Sequence, residues 1–103
     1  MAEVRWTLQA ADDLEGIVEF IATESRQYAV LLALDIFEAV ERLATFPKTG
    51  RIVPETDDPV IREVLLGNYR IIYRVAGDFV HVLTISHGAR ILDPKRLTET
   101  GPG

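Results

Sequence analysis

Three β-rich runs in the C-terminal half of the chain constrain its fold more than any other feature. They are Val60–Leu66, Tyr69–Val75 and Phe79–Ser86, and a short glycine-containing turn signal separates each run from the next. The dipeptides Gly67-Asn68 and Gly77-Asp78 supply residues that tolerate the positive φ angles of two-residue hairpin turns. The pattern therefore predicts three consecutive antiparallel strands.

If both turns contain two residues, side-chain alternation divides the sheet into two faces. The face predicted to pack on helices holds Val64, Leu66, Tyr69, Ile71, Tyr73, Val75, Val80 and Val82. The opposite face holds Ile61, Glu63, Leu65, Arg70, Ile72, Arg74, His81, Leu83 and Ile85. A slip of one residue would exchange the two faces of a strand, so this assignment depends on the pairing register.

The residues before the sheet predict a short strand and two helices. Residues 3–7 alternate between polar and apolar, as an edge strand does, and Thr7 is a candidate N-cap. Apolar side chains then recur with helical spacing to about Ser25, and again from about Gln27 to Thr45. Because the link is so short, the helices should form an antiparallel hairpin. The expected class is α+β, with this hairpin packed on a three- to four-stranded antiparallel sheet.

The second helix carries more apolar surface than one packed face requires. Its expected core face contains Ala29, Leu32, Ala33, Ile36, Val40 and Leu43. Val30, Leu34 and Phe37 lie on an adjoining arc. A well-buried helix accounts for this wide arc, and so does a helix that contacts a partner chain. After the helix, residues 46–59 predict a loop without regular structure, which is long for a small domain.

Length and composition exclude several classes of site. The 103 residues predict one domain over residues 1–97, followed by a disordered tail at 98–103. The chain has no cysteine, which excludes disulfides, thiolate zinc sites and cysteine nucleophiles. His81 and His87 are separated by roughly 20 Å on an extended strand, too far apart to share a metal ion. We therefore expect no metal and no cofactor.

The formal net charge of −5 disfavours direct binding to nucleic acid, which needs a concentrated basic surface. Residues 8–46 carry eight acids and two arginines, whereas residues 47–96 carry eight bases and six acids. This asymmetry points to an oriented interaction surface, although a solvated acidic helix face explains half of it equally well. No apolar run has the length of a signal peptide or a membrane span, so we expect a cytoplasmic protein that does not enter a membrane.

Cationic side chains on the predicted outer face are the main candidates for chemistry. Arg70 and Arg74 are four residues apart on one strand and therefore share a face, with Glu63 diagonal to both. A cross-strand salt bridge on a solvated face explains this pattern. A recognition surface for an acidic peptide or a phosphate explains it as well.

Short motifs along nearly the whole chain occur in an order that is more specific than any one of them. They are Ala10–Leu14 with Ile17 and Ile21, Ile36–Leu43, Phe46-Pro47 with Gly50-Arg51, Arg62-Glu63, Tyr69–Arg74 and His87–Arg90. In this order and spacing, the chain resembles the ParE branch of the ParE/RelE superfamily of bacterial toxins, which belong to type II toxin–antitoxin systems.

The resemblance implies a cognate antitoxin that wraps around the chain, neutralises it and forms a hetero-oligomer with it. The wide apolar arc of the second helix and the mixed face of the sheet then have an occupant. The candidate residues for binding the target or the antitoxin are Arg51, Arg62, Glu63, Arg70, Arg74, His81, His87, Arg90, Leu34 and Phe37.

The resemblance also implies one of two activities. ParE-like members are described as inhibitors of DNA gyrase, and RelE-like members as ribosome-dependent mRNA endonucleases that need no external metal. The endonucleases need basic residues and commonly a C-terminal tyrosine or a His/Glu pair. In this chain the last tyrosine is Tyr73, and the loop before the sheet carries only Lys48 and Arg51. Together with the net charge, these departures favour gyrase inhibition by binding.

Two alternatives remain at the level of sequence. In an endoribonuclease, His87 would act as a general base and Arg70 or Arg90 would stabilise the transition state. In an inactive homologue, the chain would bind only its antitoxin.

Overall fold

Two helices pack on one face of a five-stranded sheet, and the α+β class is confirmed. The computed structural model describes residues 1–88, 92–93 and 97. The elements are β1 (Glu3–Trp6), α1 (Leu8–Ala22), α2 (Arg26–Thr45), β2 (Arg51–Ile52), β3 (Ile61–Leu66), β4 (Tyr69–Ala76) and β5 (Phe79–His87). The strand order is β1-β5-β4-β3-β2. The expected tail at residues 98–103 lies outside the described residues.

The sheet is larger than predicted, and it is mixed rather than wholly antiparallel. As predicted, β1 lies at an edge, but it pairs in parallel with β5, on the side that β4 leaves free. Strand β2 forms inside the expected loop, where it pairs with Arg62 and Glu63 of β3. Two residues are too few to show the alternation by which a strand is recognised, so β2 was missed.

Side-chain caps fix where each helix begins. The Thr7 hydroxyl accepts a hydrogen bond from the Ala10 N–H at 3.1 Å, which confirms the predicted cap, and it donates to the Val82 carbonyl at 2.9 Å. Ser25 caps α2 by accepting from the Tyr28 N–H at 3.1 Å. Such caps satisfy N–H groups that have no partner inside a helix. Thr7 therefore ties the start of α1 directly to β5.

Both predicted hairpins are present with the predicted two-residue turns. Leu66 pairs with Tyr69 across the first turn, and Ala76 pairs with Phe79 across the second. Gly67 and Gly77 have φ angles of +57°, and no other residue type in the described chain has a positive φ. Glycine at the first turn position is what hairpin turns of type II′ require.

A β-bulge in β5 breaks the predicted division of the two faces. Ile72 pairs with Thr84 but Tyr73 pairs with Val82, so Leu83 is an extra residue in the strand. The prediction that Ile85 lies on the outer face is wrong, because Ile85 packs in the core between sheet and helices. The bulge produced this shift within the strand, whereas both turns kept their length.

Apolar clusters cover both faces of the sheet. The cluster under the helices contains Ala10, Leu14, Leu32, Ile36, Ala39, Val40, Ile71, Val82 and Ile85. The cluster on the opposite face contains Val53, Ile72, Leu83, Leu92 and Leu97. The outer face is therefore closed at its centre by the loop that contains Val53 and by residues beyond β5. In the part of the chain described here, neither helix has the length and apolar character needed to cross a membrane.

Candidate functional site

A network of four charged side chains, three of them shielded from water, lies on the outer face of the sheet. The Arg70 guanidinium donates to both carboxylate oxygens of Glu55 at 2.7 Å. Its Nε also donates to Glu63 at 2.6 Å. Arg70 is 5% exposed and Glu63 is 1% exposed. Bidentate pairing of this kind is the strongest hydrogen-bonding arrangement available to an arginine.

The network extends in two directions from its centre. On one side, the second oxygen of Glu63 accepts from Arg51 Nε at 2.6 Å, and the Arg51 side chain remains exposed. On the other side, Glu55 accepts the backbone N–H of Leu92 at 3.1 Å. Two arginines and two glutamates cancel in charge, which is how a buried ionic cluster avoids a large desolvation cost.

The network shifts the titration of its members. Hydrogen bonding to Arg70, aided by the Leu92 N–H, lowers the pKa of Glu55 from 4.5 to about 2. The same carboxylate, together with Glu63, raises the pKa of Arg70. Both shifts favour the charged forms, so Glu55 and Arg70 are ionised over the whole physiological range.

The expectation of a solvated salt bridge on an open face is wrong for these residues. The pairing of Arg70 with Glu63 is present, and its diagonal geometry follows from the predicted register. It is buried because the residues after β2 fold over the sheet and bring Glu55 to Arg70. Glu55 was not among the sequence candidates, since a loop acid carries no periodic signal.

A groove of about 510 Å³ lies beside this network. Arg51, Arg70 and His87 all line it, so the structure brings these three candidates together. His87 is exposed, and its ring lies edge-on to Tyr69 with 5.9 Å between centroids. Arg70 contributes only a largely buried side chain to the wall. Arg90, the third residue of the nuclease alternative, lies outside the described residues.

The remaining basic candidates lie elsewhere. Arg62 pairs with Tyr73 on the helix side of the sheet, where its Nη1 donates to the Gly50 carbonyl at 2.9 Å. Arg74 and His81 pair with each other across β4 and β5. They lie roughly 13 Å along the strand from Arg70. The basic candidates of the predicted outer face therefore lie in two separate places, Arg70 near His87 and Arg74 beside His81.

The apolar arc of α2 is partly buried and partly exposed. The buried side chains are Ala29, Leu32, Ile36, Ala39, Val40, Leu43 and Ala44. The adjoining candidates remain open, with Leu34 58% exposed and Phe37 48% exposed. Val30, one turn before Leu34, is 57% exposed. These three side chains form one exposed apolar surface on α2, next to Trp6, whose ring centroid lies 5.5 Å from that of Phe37.

Comparison with known proteins identifies the family. A family model described as the ParE toxin of the type II toxin–antitoxin system parDE matches residues 4–92. The chain belongs to the ParE toxin family. It is accordingly a toxin of a type II toxin–antitoxin system, as the resemblance implied.

Named relatives of this ParE-family toxin agree with the assignment. Toxin RelE2 of Caulobacter vibrioides is 38% identical over 92 residues, which cover 88% of this chain and all of that protein. Putative toxin Y4kP of Sinorhizobium fredii is 33% identical over 86 residues, which cover 82% of this chain and 85% of that protein.

Solved structures share the fold of this ParE-family toxin. A chain of the chromosomal ParDE toxin–antitoxin system of P. aeruginosa superposes with a TM-score of 0.70 and 27% identity, covering 84% of this chain and 96% of that one. A chain of the RelBE2 toxin–antitoxin complex of Mycobacterium tuberculosis superposes with a TM-score of 0.61 at the same coverage. Its identity of 21% shows a common fold alone.

Two of the motif residues that carry the resemblance have structural roles in this ParE-family toxin. Asp13 accepts from the Thr84 hydroxyl and from the Ile85 N–H at 3.2 Å, which fastens α1 to the bulge in β5. Gly50 donates its N–H to the Tyr73 hydroxyl at 2.9 Å. Burial raises the pKa of that hydroxyl, so Tyr73 stays protonated and serves the core.

The space around Gly50 predicts a strong effect of adding one methyl group. A Cβ at this position would meet the backbone carbonyl of Glu63 and lie 2.6 Å from the Tyr73 hydroxyl. Overpacking against a rigid backbone costs about 1–3 kcal/mol, so Gly50→Ala should lower the free energy of unfolding by about 3 kcal/mol in urea titrations.

Gly16 provides a matched control for this substitution. No atom lies within 4 Å of a Cβ built at Gly16, in the middle of α1. Because alanine is the better helix former, Gly16→Ala should raise stability by about 1 kcal/mol. Equal effects of the two substitutions would contradict the tight packing at Gly50.

Proposed function

We propose that this ParE-family toxin inhibits DNA gyrase by binding to it, and that a cognate antitoxin holds it inactive. The proposal takes the target from the ParE branch that the motifs resemble. It requires a stable protein-binding surface and no catalytic group on the toxin.

The observation that carries this proposal is the commitment of Arg70 to the buried network. In the nuclease alternative, the Arg70 guanidinium would have to approach a phosphate as charge develops in the transition state. Arg70 instead donates to Glu55 and Glu63 at 2.6–2.7 Å and is almost fully buried. Its geometry supports a structural role, which suits a toxin that acts by binding.

The exposed apolar surface of α2 supports docking of the antitoxin. Leu34, Phe37 and Val30 present adjacent apolar side chains to solvent on one helix face. Exposed apolar surface of this kind marks interaction sites more often than isolated apolar residues do. The solved relatives of this chain belong to a ParDE system and a RelBE2 toxin–antitoxin complex, in keeping with such a partner.

A supercoiling assay tests the proposed target. Purified gyrase supercoils relaxed plasmid in the presence of ATP, and the toxin should reduce the supercoiled product in a dose-dependent manner. Toxin that has been mixed beforehand with its antitoxin should leave the reaction unchanged. Full supercoiling at a large molar excess of free toxin would reject gyrase as the target.

Ribosome-dependent cleavage of mRNA is the second candidate function. It is favoured by one observation, the exposure of His87 in a groove that Arg51 also lines. The net charge of −5 opposes docking among ribosomal RNA. Mapping of mRNA ends on translating ribosomes distinguishes the two functions, since new toxin-dependent cuts that disappear in His87→Ala would establish the nuclease.

The proposed antitoxin site gives a prediction about a single helix position. Leu34→Lys would place an unpaired charge in the apolar contact, so affinity for the antitoxin should fall by more than about 30-fold. Stability should change by less than about 0.5 kcal/mol, because Leu34 is exposed in the free toxin. Isothermal titration with the protein encoded beside the toxin gene measures the affinity.

Leu8→Lys is the matched control for this prediction. Leu8 is 60% exposed at the start of α1 and is not one of the three side chains that form the exposed apolar surface on α2. Its replacement should leave antitoxin affinity unchanged. A similar loss in both variants would show that the antitoxin contacts a different or larger region.

A further inference from the structure

Three basic side chains form a row across the sheet at the end away from Arg70. Arg5 on β1 pairs with His81 on β5, and His81 pairs with Arg74 on β4. Residues in register on neighbouring strands share a face and are spaced by about 4.8 Å. Ile61 on β3 continues the row, and it packs with the cluster on the outer face. The row, defined as Arg5, His81 and Arg74, therefore lies on the face opposite the helices.

Arg74 differs from the other arginines of this face in its partners. Within the residues that the structure describes, salt bridges join Arg5, Arg51 and Arg70 to glutamates, whereas none includes Arg74. The Arg74 Nε is buried and has no hydrogen-bond acceptor in that part of the chain. A buried donor without an acceptor costs about 1–3 kcal/mol, and such groups are rare in native proteins.

The surroundings of the row are partly apolar, and one acid, Glu3, forms an ion pair with a member of the row. The Arg5 guanidinium lies 4.2 Å from the centre of the Phe79 ring, and the His81 ring lies 5.9 Å from it. Glu3 forms an exposed ion pair with Arg5 at 2.8 Å. Glu3 is thus already engaged by Arg5, and no salt bridge among the described residues includes Arg74.

We propose that this row binds a carboxylate on an acidic segment of a partner protein, with Arg74 as its main contact. A carboxylate can accept from both Nη groups of a guanidinium at once, and the Nη atoms of Arg74, unlike its Nε, are not among the buried atoms without an acceptor. Phe79 and Ile61 would contact apolar residues that flank the acid. Nucleic acid is the weaker occupant, because a chain of net charge −5 repels extended polyanions.

The carboxylate site shares one assumption with the proposed function, namely that the toxin acts on, or is held by, another protein. Arg74 and His81 were sequence candidates for binding a target or antitoxin, whereas Arg5 was not. Arg5 enters because the parallel pairing of β1 brings it beside His81.

A peptide titration tests the proposal directly. The probe is a fluorescein-labelled peptide of alternating glutamate and leucine, about eight residues long, and fluorescence anisotropy measures its binding to the full chain. Arg74→Met should weaken binding by about tenfold, the effect of one charge-assisted hydrogen-bonded contact. Arg26→Met is the control, because Arg26 is exposed at the start of α2 and lies outside the row. This variant should bind the peptide as tightly as the parent chain does.

Four results would overturn the proposal. The first is equal binding by Arg74→Met and the parent chain. The second is tighter binding of an oligothymidylate of equal charge, which would make the ligand a phosphate. The third is self-association that Arg74→Met abolishes, which would make the occupant a second copy. The fourth is a fall of several degrees in the melting temperature of Arg74→Met, because a guanidinium without an internal partner should not stabilise the fold.

The two proposals fail separately in these experiments. If gyrase supercoils normally in the presence of the toxin while peptide binding still depends on Arg74, the carboxylate site is supported and the target is another protein. If gyrase is inhibited while Arg74→Met binds the peptide as tightly as the parent chain, gyrase is supported as the target and the row is not a carboxylate site.

Discussion

Replacement of Arg70 by alanine should lower the free energy of unfolding by about 3–5 kcal/mol, the cost of leaving buried charges without their partner. The substitution removes the donors that hold Glu55 and Glu63, both of which are shielded from water. Small domains are stable by only about 5–15 kcal/mol, so the substitution would remove a large share of the total stability of the toxin. Urea denaturation followed by circular dichroism measures the change.

Arg42→Ala is the matched control for this prediction. Arg42 forms an exposed pair with Glu38 at 3.6 Å on α2. Exposed pairs contribute little, so stability should fall by less than about 0.5 kcal/mol. A different result would be that Arg70→Ala is as stable as Arg42→Ala and has nonetheless lost its toxicity. Arg70 would then contact the target directly, and the proposed structural role of Arg70 would be rejected.

A second variant distinguishes two effects of Arg70→Ala. One is the loss of the ionic partner of Glu55 and Glu63, and the other is the loss of packing by the Arg70 side chain. Replacing Arg70, Glu55 and Glu63 together by apolar residues of similar size removes the buried charges as well as the bonds. Apolar replacements of buried ionic clusters are often neutral or stabilising. The triple variant should therefore recover most of the stability lost in Arg70→Ala, although Arg51 loses its contact with Glu63 in the process.

The sequence predicted those features that depend on neighbouring residues. Thr7 and the two glycine-containing turns act within a few positions of themselves, and the structure shows all three as predicted. The buried stripe of α2 follows from helical periodicity, which is also a local signal. Once both turn lengths were right, the pairing of Glu63 opposite Ile72 followed without further information.

Features that depend on distant contacts could not be predicted in this way. The bulge at Leu83 and the strand β2 leave no periodic pattern, and each changes which residues share a face or a core. Glu55 reaches Arg70 only because the loop folds back over the sheet. The consequence for function is direct, since the predicted open cationic face became a buried network at one end and the row containing Arg74 at the other.

Acid should destabilise this toxin through one carboxylate in particular. The pKa of Glu55 is about 2 in the folded chain, compared with an ordinary value of 4.5, because Arg70 and the Leu92 N–H stabilise its charged form. A depressed pKa in the folded state contributes stability above the unfolded value, and this contribution is lost as pH falls from about 4.5 to about 2. The full contribution is about 3 kcal/mol, of which about 2 kcal/mol should be lost by roughly pH 3.

A comparison with Glu55→Gln isolates this contribution from general acid denaturation. The variant keeps the shape of the side chain but cannot ionise, so it should be less stable than the parent at neutral pH. The difference should shrink as pH falls towards about 3, since the unfolded parent then takes up a proton at Glu55 that the folded parent does not, and the advantage of the folded charged form falls. Glu38→Gln, at an exposed pair, should follow the parent at every pH. A constant difference between parent and Glu55→Gln would mean that Arg70 does not depress this pKa, and that the network holds the loop by packing alone.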